Sequence, residues 1–219
     1  MDAKIFHVDF LNSKSKFKLL ENPNLWASKV LKQLSEEKID LSNSVLIGYS
    51  MGGRLALLLL KESIRNSNLQ GFKKVIALSS NPGIPQESLS ERTTWIAKWV
   101  SEFNDFEKGL QNWNSQSIFE QSKGRSFVAY GATLETVKLA LETYDYLKLP
   151  LEPKDLQGFK ERIVFLFGEK DEKYQRIKRQ LILELGANLC FDVPNAGHRL
   201  PFDEPSNTAK AIIQSLSAN

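Results

Sequence analysis

Short, wholly apolar runs alternate along this chain with longer stretches whose apolar residues recur at helical spacing. Ile5 to Asp9 reads as a short strand. "NPNLWASKVLKQLSEEK" carries Leu25, Val30, Leu31 and Leu34 on one helical face. Ser44 to Gly48 predicts a fully apolar strand, and Met51 to about Asn66 a helix with a wide apolar face. Lys73 to Ser79 and Arg162 to Phe167 predict two further strands. Lys173 to Leu185 reads as a helix with Ile177, Leu181, Ile182 and Leu185 together, and Leu189 to Val193 as a strand. Ser206 to Leu216 predicts a closing helix capped by Ser206.

Apolar strands that alternate with helices specify an α/β fold, a mostly parallel sheet covered by helices on both faces. The stretch from Ile84 to Pro150 interrupts that order. Trp95, Trp99, Phe103, Phe106, Trp113 and Phe119 fall there in helical patterns without a strand signal. It predicts a helical cap insertion at residues 84–150, with the core built from 1–83 and 151–219. Such an insertion would lie over the carboxyl edge of the sheet, where open α/β sheets bind ligands.

Composition narrows the picture a little. A chain of 219 residues with 42% hydrophobic and 25% charged positions is ordinary for a globular protein. Its net charge of +3 is spread among Glu and Asp, so no nucleic-acid footprint is expected. No apolar run approaches the roughly 18–20 residues that span a bilayer, and "MDAKIFHVDF" is not a signal sequence. The one cysteine, Cys190, permits neither an internal disulfide nor a cysteine zinc cluster, and it suits a reducing compartment. A cytoplasmic protein is expected, with Cys190 an inert thiol in a strand.

Candidate chemistry begins where the first long apolar run breaks. Gly48-Tyr49-Ser50-Met51-Gly52 is a G-x-S-x-G motif between a predicted strand and a predicted helix, the setting of a nucleophile elbow. A serine on so sharp a turn needs small neighbours; Gly48 and Gly52 are expected to give clearance, and Gly53 to let the helix approach the sheet. The Met51 amide opens the helix, where it can meet developing negative charge. A serine is inert without a base. Of the two histidines, His198 follows the last strand and suits that role, whereas His7 lies in the first predicted strand and reads as structural. "GEKDEKY" offers Glu169, Asp171 and Glu172 after a strand; Asp171 is the acid expected to orient the imidazole, and the glutamates read as solvated charges.

"GYSMGGRLAL", "SSNPGI", "ER", "NWNSQSIF", "GATL", "FGEKDEKY" and "AGHRLPFDEP" together resemble the family of 2-succinyl-6-hydroxy-2,4-cyclohexadiene-1-carboxylate synthases of menaquinone biosynthesis, enzymes of the α/β-hydrolase fold. The matches run from about residue 5 to residue 215. The resemblance implies a lyase that eliminates pyruvate from a small anionic cyclohexene, with no metal or organic cofactor. Ser50, primed by His198 and Asp171, would then remove a proton rather than become acylated. It further implies carboxylate-binding roles for Arg54, Arg92 and Arg125 and a pocket role for Trp113. Tyr49, beside the serine, reads either as a donor to a substrate carboxylate or as a packing residue.

One departure stands out. The family's next strand resembles "IFHVDF", but "LNSKSKF" replaces the Gly-His-Gly turn that supplies half of the oxyanion site. The sequence therefore reads as an N-terminally truncated α/β-hydrolase fold lacking at least one mid-sheet strand. Each buried backbone group so unpaired costs about 1–3 kcal/mol. The sheet is expected to rearrange, to gain a partner strand from a second copy in a homodimer, or to continue upstream. Two other readings stand beside the lyase: a carboxylesterase or thioesterase with Ser50 as nucleophile, and a catalytically impaired binding protein.

Overall fold

The computed structural model describes residues 4–66, 71–122 and 131–217. Its elements follow in the order α1 (Pro23–Glu36), β1 (Val45–Tyr49), α2 (Met51–Arg65), β2 (Lys74–Leu78), α3 (Leu89–Glu102), α4 (Phe106–Asn114) and α5 (Leu134–Thr143). They continue with α6 (Pro153–Leu156), β3 (Ile163–Gly168), α7 (Glu172–Leu185), β4 (Cys190–Val193), α8 (Leu200–Asp203) and α9 (Pro205–Ser217). Among the described residues the strands form a parallel sheet in the order β1-β2-β3-β4.

Strand alternation divides the core in two, because successive side chains point to opposite faces. Val75 and Ala77 of β2, with Ile163, Phe165 and Phe167 of β3, pack against the apolar faces of α1, α2 and α7. Ile76, Leu78, Val164 and Leu166 face the other way, toward Leu200 and the α9 residues Ala211 and Ile212. A strand buried on both faces must be apolar throughout, which is why these runs lack a polar alternation. The helices between β2 and β3 close a separate aromatic cluster around Trp99, Phe103 and Val137.

Two expected elements differ. Ile5 to Asp9 forms no strand: no described strand pairs with that segment, and without a ladder an extended segment has little to hold it. Its alternation survives only as packing, with Phe6, Val8 and Phe10 leaning on the core while Ile5 is 92% exposed. His7 is exposed there rather than structural within a strand. Correspondingly, β1 pairs with β2 on one side alone among the described residues, and its Ile47 is 52% exposed. The last helix begins at Pro205, so Ser206 is a helical residue and not the cap. Proline suits that first position because its missing N–H has no intrahelical partner to lose.

Candidate active site

Ser50 sits between the end of β1 and the start of α2 with φ 51° and ψ −114°, a strained conformation for a residue with a Cβ. Gly48 makes the turn sterically possible, since a Cβ there would stand 2.3 Å from the Gly52 carbonyl oxygen. Gly53 similarly backs onto Ser80. Gly52, expected to provide clearance, does not: a Cβ there would meet only the Phe10 ring at 3.6 Å, an ordinary contact. Met51 opens α2, so its amide is among the first-turn donors that lack an intrahelical acceptor.

The acid and the base arrive from the next two strand ends. Asp171 caps α7, its Oδ1 accepting from the Tyr174 backbone N–H at 3.1 Å. Its Oδ2 lies 2.7 Å from His198 Nδ1, and both side chains are buried. His198 Nε2 stands 3.4 Å from Ser50 Oγ. The two loops meet because Gly168, at the end of β3, lies directly against the Gly197 carbonyl. Glu169 accepts from the Asn195 backbone N–H, and Glu172 is exposed in the first turn of α7. The rings of Tyr174, Tyr49 and Phe119 pack around the imidazole at centroid distances of 4.5, 5.6 and 5.7 Å.

A cavity of about 740 Å³ opens over these residues, lined by Tyr49, Ser50, Met51, Arg54, Trp113 and His198 among others. Arg54 is buried, donates from Nη2 to the Tyr144 carbonyl at 3.2 Å, and its Nε has no acceptor among the described residues. Burial depresses its pKa, the mark of a cation held without full compensation. Arg92 differs. Its Nε and Nη2 both bond Asp145 Oδ2, at 2.8 and 2.6 Å, and Nη1 bonds Glu87 at 3.0 Å. Burial opposes its charge, yet Asp145 raises its pKa overall. Its guanidinium also stacks over Trp95 at 4.0 Å. Trp113 lines the cavity and packs edge-on to Trp99 at 4.9 Å. Tyr49 is held neutral by burial, which pushes its pKa up. Arg125 lies outside the described residues.

Sequence reasoning passed over several participants. Asp145 is distant from Arg92 along the chain, and no spacing rule could pair them. Arg199, stacked on Phe119 and bonded to Asn114, sits beside the expected base, and Lys173 lines the cavity beside the expected acid. Tyr174 carried a signal: three residues past a helix-capping aspartate, its backbone must meet that carboxylate. Cys190 is a buried thiol whose pKa burial pushes up to about 12. Among the described residues no helix is long and apolar enough to cross a membrane.

Residues 23–211 match the model of the alpha/beta hydrolase family, and the chain belongs to that family. It is similar to 2-succinyl-6-hydroxy-2,4-cyclohexadiene-1-carboxylate synthase of Escherichia coli (strain K12), 29% identical over 182 residues that cover 78% of this chain and 67% of that protein. Its fold is similar to that of MenH from S. aureus, with a TM-score of 0.69 at 20% identity over 90% of this chain and 75% of that one. An esterase from Exiguobacterium antarcticum shares the fold at a TM-score of 0.64 and 15% identity, over 95% of this chain and 79% of that one.

Proposed function

We propose that this chain is a lyase of menaquinone biosynthesis that eliminates pyruvate from a succinyl-enolpyruvyl-cyclohexene carboxylate, with Ser50, His198 and Asp171 as its proton-transfer chain. The observation that carries the reading is the buried Arg54, one turn past Ser50, with an unsatisfied Nε on the cavity wall. A cation so placed asks for a carboxylate, and Lys173 and Arg199 line the same cavity. Similarity to the E. coli synthase supports the substrate class. Residues 84–150 serve as the cap that closes over the substrate, with Trp113 as part of its apolar wall.

In this mechanism Asp171 fixes the His198 tautomer, and His198 Nε2 accepts the Ser50 proton. The Ser50 oxygen removes the acidic ring proton, the electron pair moves through the ring, and the C–O bond to the enolpyruvyl group breaks. Pyruvate leaves as its enolate and takes up a proton from solvent or from His198. Arg54 holds a substrate carboxylate. Arg92, already paired with Asp145 and Glu87, shapes that wall and reaches a substrate carboxylate only in competition with them. Tyr49 and the Met51 amide donate to negative oxygen, and Arg125 is proposed as a further carboxylate ligand on the resemblance alone.

Pyruvate release coupled to a lactate dehydrogenase reaction tests the proposal. Arg54→Met should raise KM by about 10- to 100-fold, the loss of one charged hydrogen bond. Equal KM in the two proteins would remove Arg54 from the substrate site. A second reading, a carboxylesterase or thioesterase, draws on the strained Ser50 backbone and the Met51 amide beside it. Under it, short acyl esters turn over, pyruvate is not released, and Arg54 is dispensable.

A further inference from the structure

The loop that carries His198 is roofed by one short stretch, residues 114–121. Gly197 lies so close beneath it that a Cβ there would stand 2.8 Å from the Gln121 Cβ. The Phe119 ring packs on the imidazole, with 5.7 Å between centroids. Arg199 reaches into the same stretch. Its Nη2 donates to Asn114 Oδ1 at 2.5 Å, and its guanidinium stacks over the Phe119 ring at 3.9 Å. The side chain is buried in doing so. Asn114 ends α4, which packs chiefly on α3 rather than on the sheet. Residues 197–203 are in turn tied into one unit. The Arg199 carbonyl accepts from the Phe202 and Asp203 N–H groups, each at 2.8 Å, and Asp203 Oδ2 accepts from the Gly197 N–H at 3.1 Å. A pull on the Arg199 side chain is therefore felt at His198.

We infer that Arg199 is a positioning residue: its grip on Asn114 and Phe119 fastens residues 114–121 over the His198 loop and holds the imidazole in reach of Ser50. A guanidinium suits this task. Its edge donates to an amide oxygen while its face lies on a ring, a combination that the compact ammonium of lysine does not match. Of the three rings packed around the imidazole, Tyr49 and Tyr174 come from the sheet edge and Phe119 from the roof. With the grip released, the roof lifts and takes Phe119 with it. The bond from Nδ1 to Asp171 then fixes one side of the imidazole while the Nε2 side loses a wall. A displacement of about 1 Å among reacting groups costs about 10²-fold in rate. The inference rests on Ser50 and His198 being the reactive pair, though not on which substrate they meet.

Arg199→Met keeps a long apolar stem and removes the grip, and Asn114→Leu removes its hydrogen-bonded half from the other side. The full chain is read by hydrogen exchange across residues 106–119 and by the rate at which a fluorophosphonate labels Ser50, beside Ser50→Ala. The probe carries no carboxylate, so a purely substrate-binding Arg199 would leave its rate unchanged. Each single substitution should speed exchange by about 10- to 100-fold, the effect of losing one charged hydrogen bond, and slow labelling by at least about 10-fold. The low-field NMR signal of the His198 Nδ1 proton should shift or broaden in both. Because the two substitutions break one shared bond, the double variant should label within about threefold of Arg199→Met alone. Labelling within threefold of the parent in both single variants overturns the inference. So does a double variant whose losses multiply, or slowed labelling with exchange and the Nδ1 signal unchanged, since the roof would then not be the link. A parent chain that labels no faster than Ser50→Ala overturns both this inference and the reading of the reactive pair. Pyruvate release that fails while Ser50 labelling still depends on Arg199 and Asn114 overturns the lyase proposal alone.

Discussion

Gly168→Ala probes the junction that brings acid and base together. A Cβ at this position would lie 2.0 Å from the Gly197 carbonyl oxygen and 2.6 Å from that of Ala196, whereas contacts below 3.0 Å are essentially never tolerated. Both neighbours are backbone, so no side chain can swing aside. The Gly197 loop must recede by about 1 Å or more. That loop carries His198, whose Nδ1 lies only 2.7 Å from Asp171 Oδ2. The same retreat would carry this pair past about 3.5 Å, where the bond is effectively lost. It would also stretch the bond from the Lys170 N–H to the Ala196 carbonyl, now 2.9 Å. Overpacking of this kind costs about 1–3 kcal/mol of stability, and a 1 Å misplacement of reacting groups costs about 10²-fold in rate. Urea unfolding and fluorophosphonate labelling of Ser50 read the two effects separately. Gly158→Ala is the control, because a Cβ there meets nothing within 4 Å. A Gly168→Ala protein with parental stability and parental labelling would refute the reasoning.

Asp145→Asn should destabilise the chain by about 3 kcal/mol in urea unfolding, the low end for breaking a buried pair, since Arg92 keeps Glu87; a loss below about 1 kcal/mol would contradict that. Burial raises the Asp155 pKa, but the Lys61 hydrogen bond at 2.8 Å and the Glu152 amide outweigh it and hold the carboxyl below its ordinary range. Its stabilisation is thus complete above the unfolded value of about 3.9 and fades as pH falls through the lower folded value. Lys61→Met should cost about 2 kcal/mol at neutral pH and flatten that acid dependence; an unchanged acid profile would refute the pairing. Because the Ser50 N–H bonds the Leu78 carbonyl of β2, alternation points the Ile47 and Tyr49 amides away from β2. Hydrogen exchange should be fast at Ile47 and slow at Gly48, and equal protection would show that β1 is covered on its outer side.

Much of this fold was legible because its two central strands are buried on both faces. Residues 75–78 and 163–168 are unbroken apolar runs that no other element explains. Ser50, Asp171 and His198 could be read from strand–turn–helix context, because in this architecture the turns after strands converge at one sheet edge. Ile5–Asp9 misled for a physical reason: a strand is a property of its neighbour as much as of its own residues. The Arg92–Asp145 pair was illegible, since it joins two elements whose approach only tertiary packing decides. The spare capacity of Arg54 was equally hidden, for it depends on what the buried guanidinium fails to find.

The central claim is that Ser50, primed by His198, removes a proton from an anionic substrate. The most direct measurement is pyruvate release from the succinyl-enolpyruvyl-cyclohexene carboxylate by the full chain and by Ser50→Ala, with intact-protein mass spectra taken during turnover. The account predicts pyruvate from the parent, at least 10³-fold less from Ser50→Ala, and no covalent adduct on Ser50 at any time. No pyruvate from the parent, or a Ser50 adduct that forms and decays at the turnover rate, would contradict it.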